Sequence, residues 1–231
     1  RQTMKKEKIP IDDGDIIVIA QKIVSKAEGR TVKLRDVVPS EKAKNIASQT
    51  HKDPRLVELI LKETRRVVKA TPEIFIIENK EGMICINAGI DKSNVSGDDS
   101  YTLLPEDSNE SARELMSEIM KMTGKRVAVI ICDTYSRSFR KGQVGFTIGI
   151  AGINPFIDYK GQKDLFNYTL KVKNTAIADE IASAAELVMG QGKEAIPVVI
   201  IKNLTRVKWT NETSATDLLI SKQEDLFKET L

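Results

Sequence analysis

The chain has 231 residues, 30% of them charged and 5% aromatic, with a net charge of +3. That length buries a sizeable aliphatic core as one large domain or two small ones. The small charge, with Lys and Arg mixed among Asp and Glu, argues against a nucleic-acid partner. No apolar run reaches the length of a membrane span and no signal peptide is visible, so a soluble, cytoplasmic protein without a membrane partner is expected. A single histidine (His51) and two cysteines inside apolar runs (Cys85, Cys132) leave no basis for a Cys/His zinc site or a Ser-His-Asp triad. The cysteines are expected buried and reduced, and Arg1–Lys8 read as the end of a basic segment whose beginning is missing.

In chain order, Asp15–Ala20 reads as a buried strand, followed by the polar segment Gln21–Arg30. Ser40 is placed to cap a helix over Glu41–Thr50, and a second helix is expected from Asp53-Pro54 to about Lys69, with Pro at its first position. Ile74–Ile77 and Met83–Ile86 predict a hairpin around Asn79–Gly82. A polar loop, Asp91–Ser100, precedes Leu103-Leu-Pro105, and Ser111-x-x-Glu114 predicts the start of a helix reaching Thr123. The apolar run from Val127 to Cys132 reads as a strand buried on both faces. A small-residue helix over Ala178–Met189, a strand over Ile196–Ile201 and a polar helix in the tail Thr216–Leu231 complete the pattern. Strands and helices mix without a strict βαβ rhythm, which makes the class α+β (mixed α/β), with one functional unit of one or two lobes.

Four stretches carry chemistry. The buried run ends at Asp133-Thr134, a carboxylate and a hydroxyl suited to Mg²⁺ or Mn²⁺. Behind it come Arg137, Arg140 and Lys141, then Gly142, Gly145, Gly149 and Gly152, cations and glycines that suit an anionic ligand approached by backbone. Asn87–Asn94 follows another strand and places Asp91 and Asn94 beyond its end, so that Asp91 and Asp133 could converge on one cation; an Asx-type turn is the equal alternative. The loop Gly190-Gln191-Gly192-Lys193-Glu194-Ala195 lacks the upstream Gly and the Ser/Thr of a P-loop, and Gly190 also suits a helix stop. Gln21, Lys22 and Lys26 follow the first strand, where lysines could hold phosphates. Polar groups gathered at strand ends point to metal-assisted phosphoryl chemistry.

Five motifs occur in order: Ser25-Lys-Ala-Glu-Gly-Arg30, Asn87-Ala-Gly-Ile-Asp-x-Ser-Asn-Val95, Leu103-Leu-Pro105, Asp133-Thr-x-x-Arg-x-Phe-Arg-x-Gly-x-x-Gly145 and Met189-Gly-x-Gly-x-x-x-Ile-Pro197. Together they resemble the coenzyme F420-0:L-glutamate ligase family. The resemblance implies a two-lobed mixed fold, an intertwined homodimer, and GTP-dependent addition of L-glutamate to coenzyme F420-0 and then to F420-1, with Mg²⁺ or Mn²⁺ required and K⁺ assisting. It implies that Asp91 and Asp133 hold one divalent ion and that Thr134 and Gln191 hold a second. Gln21, Lys22, Lys26, Asn94 and the loop Met189, Gly190, Gln191, Gly192, Lys193, Glu194, Ala195 and Ile196 take GTP-contacting positions. Arg137 and Arg140 are assigned, from their charge, to an acyl phosphate or anionic substrate. Gln191 is a neutral amide where some relatives are expected to carry an acid, and an amide holds a divalent ion more weakly. A related ligase acting on another carboxylate acceptor and a non-catalytic nucleotide-binding module are the alternatives.

Overall fold

A computed structural model describes residues 10–221 and 223–225; Arg1–Lys8 and the end of the tail lie outside the described residues. In chain order the elements are β1 (Ile16–Ala20), α1 (Gln21–Ala27), β2 (Thr31–Lys33), α2 (Glu41–Thr50), α3 (Pro54–Lys62), β3 (Thr64–Ala70), β4 (Phe75–Asn79), β5 (Ile84–Ile86), β6 (Ser100–Thr102), α4 (Ser108–Thr123), β7 (Ala128–Ser136), β8 (Gln143–Ala151), β9 (Ile157–Asp158), β10 (Asn174–Thr175), α5 (Ile177–Met189) and β11 (Val198–Ile201). The fold is α+β, as the mixed pattern predicts. Among the described residues no helix is long and apolar enough to cross a membrane. The chain divides into two compact units, one comprising the chain up to Ala20 with Ser108–Ala215, the other Gln21–Asp107 with the chain from Thr216.

The first unit is built on a four-stranded sheet of order β11-β1-β7-β8. Strands β1 and β7 are parallel and central, with Ile16, Val18, Val129, Ile130 and Ile131 all fully buried, so their unbroken β-branched runs have apolar neighbours on both faces. Helices α4 and α5 pack on this sheet, and glycines in β8 set how closely. A Cβ on Gly145 would lie 2.9 Å from the Ala182 carbonyl oxygen of α5, and one on Gly149 would lie 2.1 Å from the Ser108 carbonyl oxygen of α4. These two glycines admit helices; the close approach predicted for a ligand is, at both, an approach of protein backbone. The β7–β8 ladder shifts register between Ile131 and Cys132, where Gly149 and Thr147 are the successive partners. That leaves Ile148 as the extra residue of a bulge.

Asp179, in the first turn of α5, accepts a hydrogen bond from the Thr147 amide (2.9 Å) and ties the helix to β8. Burial raises its pKa, outweighing that hydrogen bond, which acts to lower it. For a carboxyl whose folded pKa lies above its unfolded value of about 3.9, the native state binds the proton more readily, so stability falls as pH rises from there through the folded pKa. Asp179→Asn keeps the acceptor oxygen and removes the buried charge. It should therefore be at least as stable as the parent at pH 7, and the parent's stability relative to the variant should fall as pH rises above about 4, as thermal unfolding of both proteins across pH will register.

The second unit comprises a three-stranded antiparallel sheet, β3-β4-β5, a β2–β6 pair and helices α1 to α3, with Phe75, Ile77, Val57 and Ile60 fully buried in it. Ser40 caps α2 by accepting from the Ala43 amide, and Asp53 caps α3 ahead of Pro54, as expected. His51 ends α2 in the left-handed region and is exposed. Helix α3, however, stops at Lys62 rather than near Lys69. The Thr64 hydroxyl takes the Ile60 carbonyl (2.6 Å), and the β-branched stretch that follows pairs with β4. Two register shifts in that pairing break the period-2 alternation, so the strand's apolar residues mimic a helical stripe.

Two further boundaries move. Helix α4 begins at Ser108, not Ser111, because Ser108-Asn109-Glu110 supplies an equally suitable first turn. The tail carries a 3₁₀ turn at Ala215–Leu218 and a local turn in which Ser221 accepts from the Glu224 amide, in place of the predicted helix over its described part.

Candidate functional site

Strand β7 does not end at Asp133-Thr134 but continues to Ser136; what ends at Cys132 is its fully buried portion. Asp133 and Thr134 thus stand on a rigid, hydrogen-bonded ladder, opposite Phe146 and Gly145 of β8. Cys132 and Thr134, two residues apart, both meet α5. The Cys132 thiol lies 4.0 Å from the Met189 sulfur, and the Thr134 hydroxyl donates to Glu186 Oε1. The Gln191 side-chain amide also donates to Glu186 Oε1, and to the Thr134 hydroxyl oxygen at 2.9 Å. Gly145, having no side chain, leaves room here: a Cβ on it would lie 3.3 Å from Glu186 Oε2. The Cys132 thiol is pushed up to about 12 by burial, with the charges of Asp133 and Glu186 adding to it, so it is an inert core group and no nucleophile.

Asp91 sits just beyond a turn whose three residues, Asn87, Ala88 and Gly89, all have positive φ (52°, 57° and 69°). Such backbone costs a non-glycine residue on the order of 1–3 kcal/mol and persists where packing determines it. Here Ala88 is buried, and the Asp91 backbone bonds in both directions to Thr102 at the end of β6. The Asp91 carboxylate accepts from Lys22 Nζ (2.6 Å), from the Ser93 amide (2.9 Å) and from the Ser93 hydroxyl. Burial alone would raise its pKa, but Lys22 and Ser93 hold it below the ordinary carboxylate value. The Asx-type turn is therefore present, and its carboxylate is paired with the Lys22 ammonium.

Helix α1 carries Gln21, Lys22 and Lys26. Gln21 is buried and its amide donates to Ser25 and to the Leu103 carbonyl. Lys26 donates to the Asn94 carbonyl, Asn94 being itself in the left-handed region. The motif Ser25–Arg30 is a helix stop: Gly29 at φ 72° bonds back to Lys26, and Arg30 to Ser25, which is the Schellman pattern. Asn79–Gly82 is the β4–β5 turn, with the Asn79 side chain accepting from Met83.

Gly190 ends α5 as predicted. In the exposed loop that follows, the Glu194 carboxylate accepts from the Gly192 amide (2.8 Å) and packs so closely on Gly190 that a Cβ there would meet it at 2.4 Å. A carboxylate of the loop itself thus already accepts from the loop backbone. Gln191, Lys193, Ala195 and Ile196 are exposed along this loop, whereas the Met189 side chain belongs to the core. Arg137 and Arg140 stand on the β7–β8 turn, Arg137 bonded to the Lys141 carbonyl (3.3 Å) and Arg140 exposed.

Two features escape the sequence reading. Lys22 is found on Asp91 rather than free for a phosphate. Glu186, unremarked within a helix, joins Thr134 to Gln191. Its sequence signal is an acid in the last turn of a helix with no basic residue there, against the helix dipole.

A family model described as F420-0:Gamma-glutamyl ligase matches residues 1–203. The chain belongs to this family. It is 46% identical to the Coenzyme F420:L-glutamate ligase of Methanocaldococcus jannaschii over 219 residues, 95% of this chain and 86% of that protein. The ligase of the same description from Methanothermobacter thermautotrophicus is 44% identical across 94% of this chain and 85% of its own length. That of Archaeoglobus fulgidus is 41% identical across 97% and 88%. The chain is accordingly an enzyme of the ligase class.

The residues present suit a divalent cation. Among the described residues no three His, Cys, Asp or Glu side chains gather into a closed ligand set. Mg²⁺ needs none, since it takes one or two carboxylates and fills its octahedron with water and substrate phosphate oxygens. Asp91 already holds a positive charge, the Lys22 ammonium.

Proposed function

We propose that this ligase joins L-glutamate to the carboxylate of coenzyme F420-0, and then to F420-1, at the expense of GTP. The observation that carries the reading is the family match along nearly the whole chain, with the family's acidic strand segment set on a rigid ladder at Asp133-Thr134. A carboxylate is a poor acylating agent. In the proposed reaction its oxygen attacks the γ-phosphorus of GTP, the bond to the β-phosphate oxygen breaks, and GDP leaves. The glutamate amine attacks the resulting acyl phosphate, loses a proton, and expels inorganic phosphate from the tetrahedral intermediate.

Asp91 and Asp133 would hold one Mg²⁺ or Mn²⁺, and Thr134 with Gln191 a second; such ions neutralise phosphate charge that would otherwise repel the attacking carboxylate. Lys22 and Lys26 would bind phosphate oxygens as point charges, Lys22 moving off Asp91 as the cation arrives. At the Gly190–Ile196 loop, phosphate oxygens would take the place on the backbone amides now filled by the Glu194 carboxylate, with Gln21 and Asn94 shaping the nucleotide end. Arg137 and Arg140 would neutralise the acyl phosphate. A homodimer and stimulation by K⁺ belong to the same proposal.

Incubation with F420-0, L-glutamate, Mn²⁺ and each nucleoside triphosphate, followed by mass spectrometry, tests it. Glutamylated F420 formed with GTP is the expected product; no product with any triphosphate overturns the reading. In the same assay Lys22→Met should raise the GTP KM about 10- to 100-fold, the worth of one charge-assisted hydrogen bond.

A further inference from the structure

We propose that Glu186 is the anionic ligand of the second divalent cation, completing with Thr134 and Gln191 a site that would otherwise be neutral; this rests on the metal-dependent reading above. Thr134 and Gln191 supply a hydroxyl and an amide, neither of which carries charge. A divalent ion among neutral side chains alone would be weakly held, because hard cations are bound chiefly by carboxylates. Glu186 lies between the two and touches both.

Two of the three heads have the spacing of adjacent corners of an octahedron, and the third, the Glu186 carboxylate, touches both. Adjacent ligands in an octahedron with bonds of about 2.1 Å stand about 3 Å apart. The Thr134 hydroxyl and the Gln191 amide are 2.9 Å apart, and each is within hydrogen-bonding reach of the same Glu186 oxygen. Rotating the Gln191 amide by half a turn exchanges its nitrogen for its oxygen without moving the side chain. The trio then consists of a carboxylate oxygen, a hydroxyl oxygen and an amide oxygen in mutual contact. Without the ion, the hydroxyl and amide protons hold the trio together.

Independent support comes from where Glu186 stands. It occupies the last turn of α5, where the unsatisfied carbonyls make the helix end electronegative and a carboxylate unfavourable. No basic residue occupies that turn to offset it. A bound cation would relieve both charges at once. The supports are rigid: Thr134 sits on the β7–β8 ladder and Gly145 beside it lets α5 lie close.

Glu186→Gln is the decisive variant. It preserves size and an acceptor oxygen for Thr134 and Gln191, and removes only the charge. Mn²⁺ bound per chain in the presence of GDP is counted by electron paramagnetic resonance of the free ion, for the parent, Glu186→Gln, Thr134→Val and Asp133→Asn, with circular dichroism confirming the fold. The parent should bind two Mn²⁺. Glu186→Gln and Thr134→Val should each weaken one site at least 10- to 100-fold, the loss that even an outer partner of a metal causes, while Asp133→Asn loses the other. Two full-affinity ions in Glu186→Gln would overturn the proposal and leave Glu186 a hydrogen-bonding partner only. One ion in the parent, lost in Asp133→Asn and kept in Glu186→Gln, would also overturn it while sparing the function proposed above. No Mn²⁺ bound by the parent would overturn the metal-dependent reading itself. Should Glu186→Gln fail to fold, Thr134→Val decides between the same outcomes.

Discussion

Asp133→Asn should lower glutamate ligation by about 10³-fold, the upper range for losing one preorganised electrostatic partner, and leave the fold intact. The substitution is isosteric and falls where β7 leaves the core, so the ladder to Phe146 and the buried run from Ala128 to Cys132 remain. What is lost is the charge that the proposed reaction needs opposite the nucleotide's phosphates. The effect should appear mainly in kcat, because a cation that helps the attacking carboxylate approach a phosphoryl group acts most strongly as the transferred charge redistributes. Steady-state kinetics with a thermal melt on the same sample separates the two readings. A large fall in Tm with proportionate loss of activity would make Asp133 a structural residue instead.

The largest stability effect is expected at Gly149. An alanine methyl there would be 2.1 Å from the Ser108 carbonyl oxygen and 2.6 Å from its carbon, both backbone atoms at the start of α4. No rotamer relieves that clash; α4 must part from β8, exposing apolar surface of the central sheet. Overpacking of a close-packed interior costs about 1–3 kcal/mol and more when backbone must move. We expect about 3 kcal/mol or more, a loss in Tm of about 6–12 °C for a chain of this size. Gly161→Ala is the control. A Cβ there meets nothing, and only its φ of 83° resists substitution, so the cost should be about 1 kcal/mol. Urea midpoints that are equal for the two variants would contradict this account of the sheet–helix contact.

What could be read from the sequence was what local chemistry determines. The runs at β1 and β7 announced themselves because strands buried on both faces need unbroken apolar residues, and Ser40, Asp53-Pro54 and Gly190 marked helix ends because capping is local. The run from Thr64 to Ala70 misled because bulges disguised its period, and bulges are set by pairing with a distant strand. The same division holds at the site. Asp91 stood out by its position after a strand, and Asp133 as the residue that closes an apolar run. Their neighbours did not: Lys22 reaches Asp91 across 69 residues and Glu186 reaches Thr134 across 52, separations that no motif spans. The glycines of β8 were visible as glycines, but whether they admit a ligand or a helix depends on what packs there, and Gly145 and Gly149 admit helices.

The central claim is that the acceptor carboxylate is activated as an acyl phosphate before the amine attacks. It is tested most directly by isotope transfer. With F420-0 carrying ¹⁸O in its carboxylate, ligation in the presence of GTP and L-glutamate should deliver one labelled oxygen to inorganic phosphate for each amide bond formed. Amide formation that releases only unlabelled phosphate would contradict the account, because no carboxyl oxygen would then have become bonded to phosphorus.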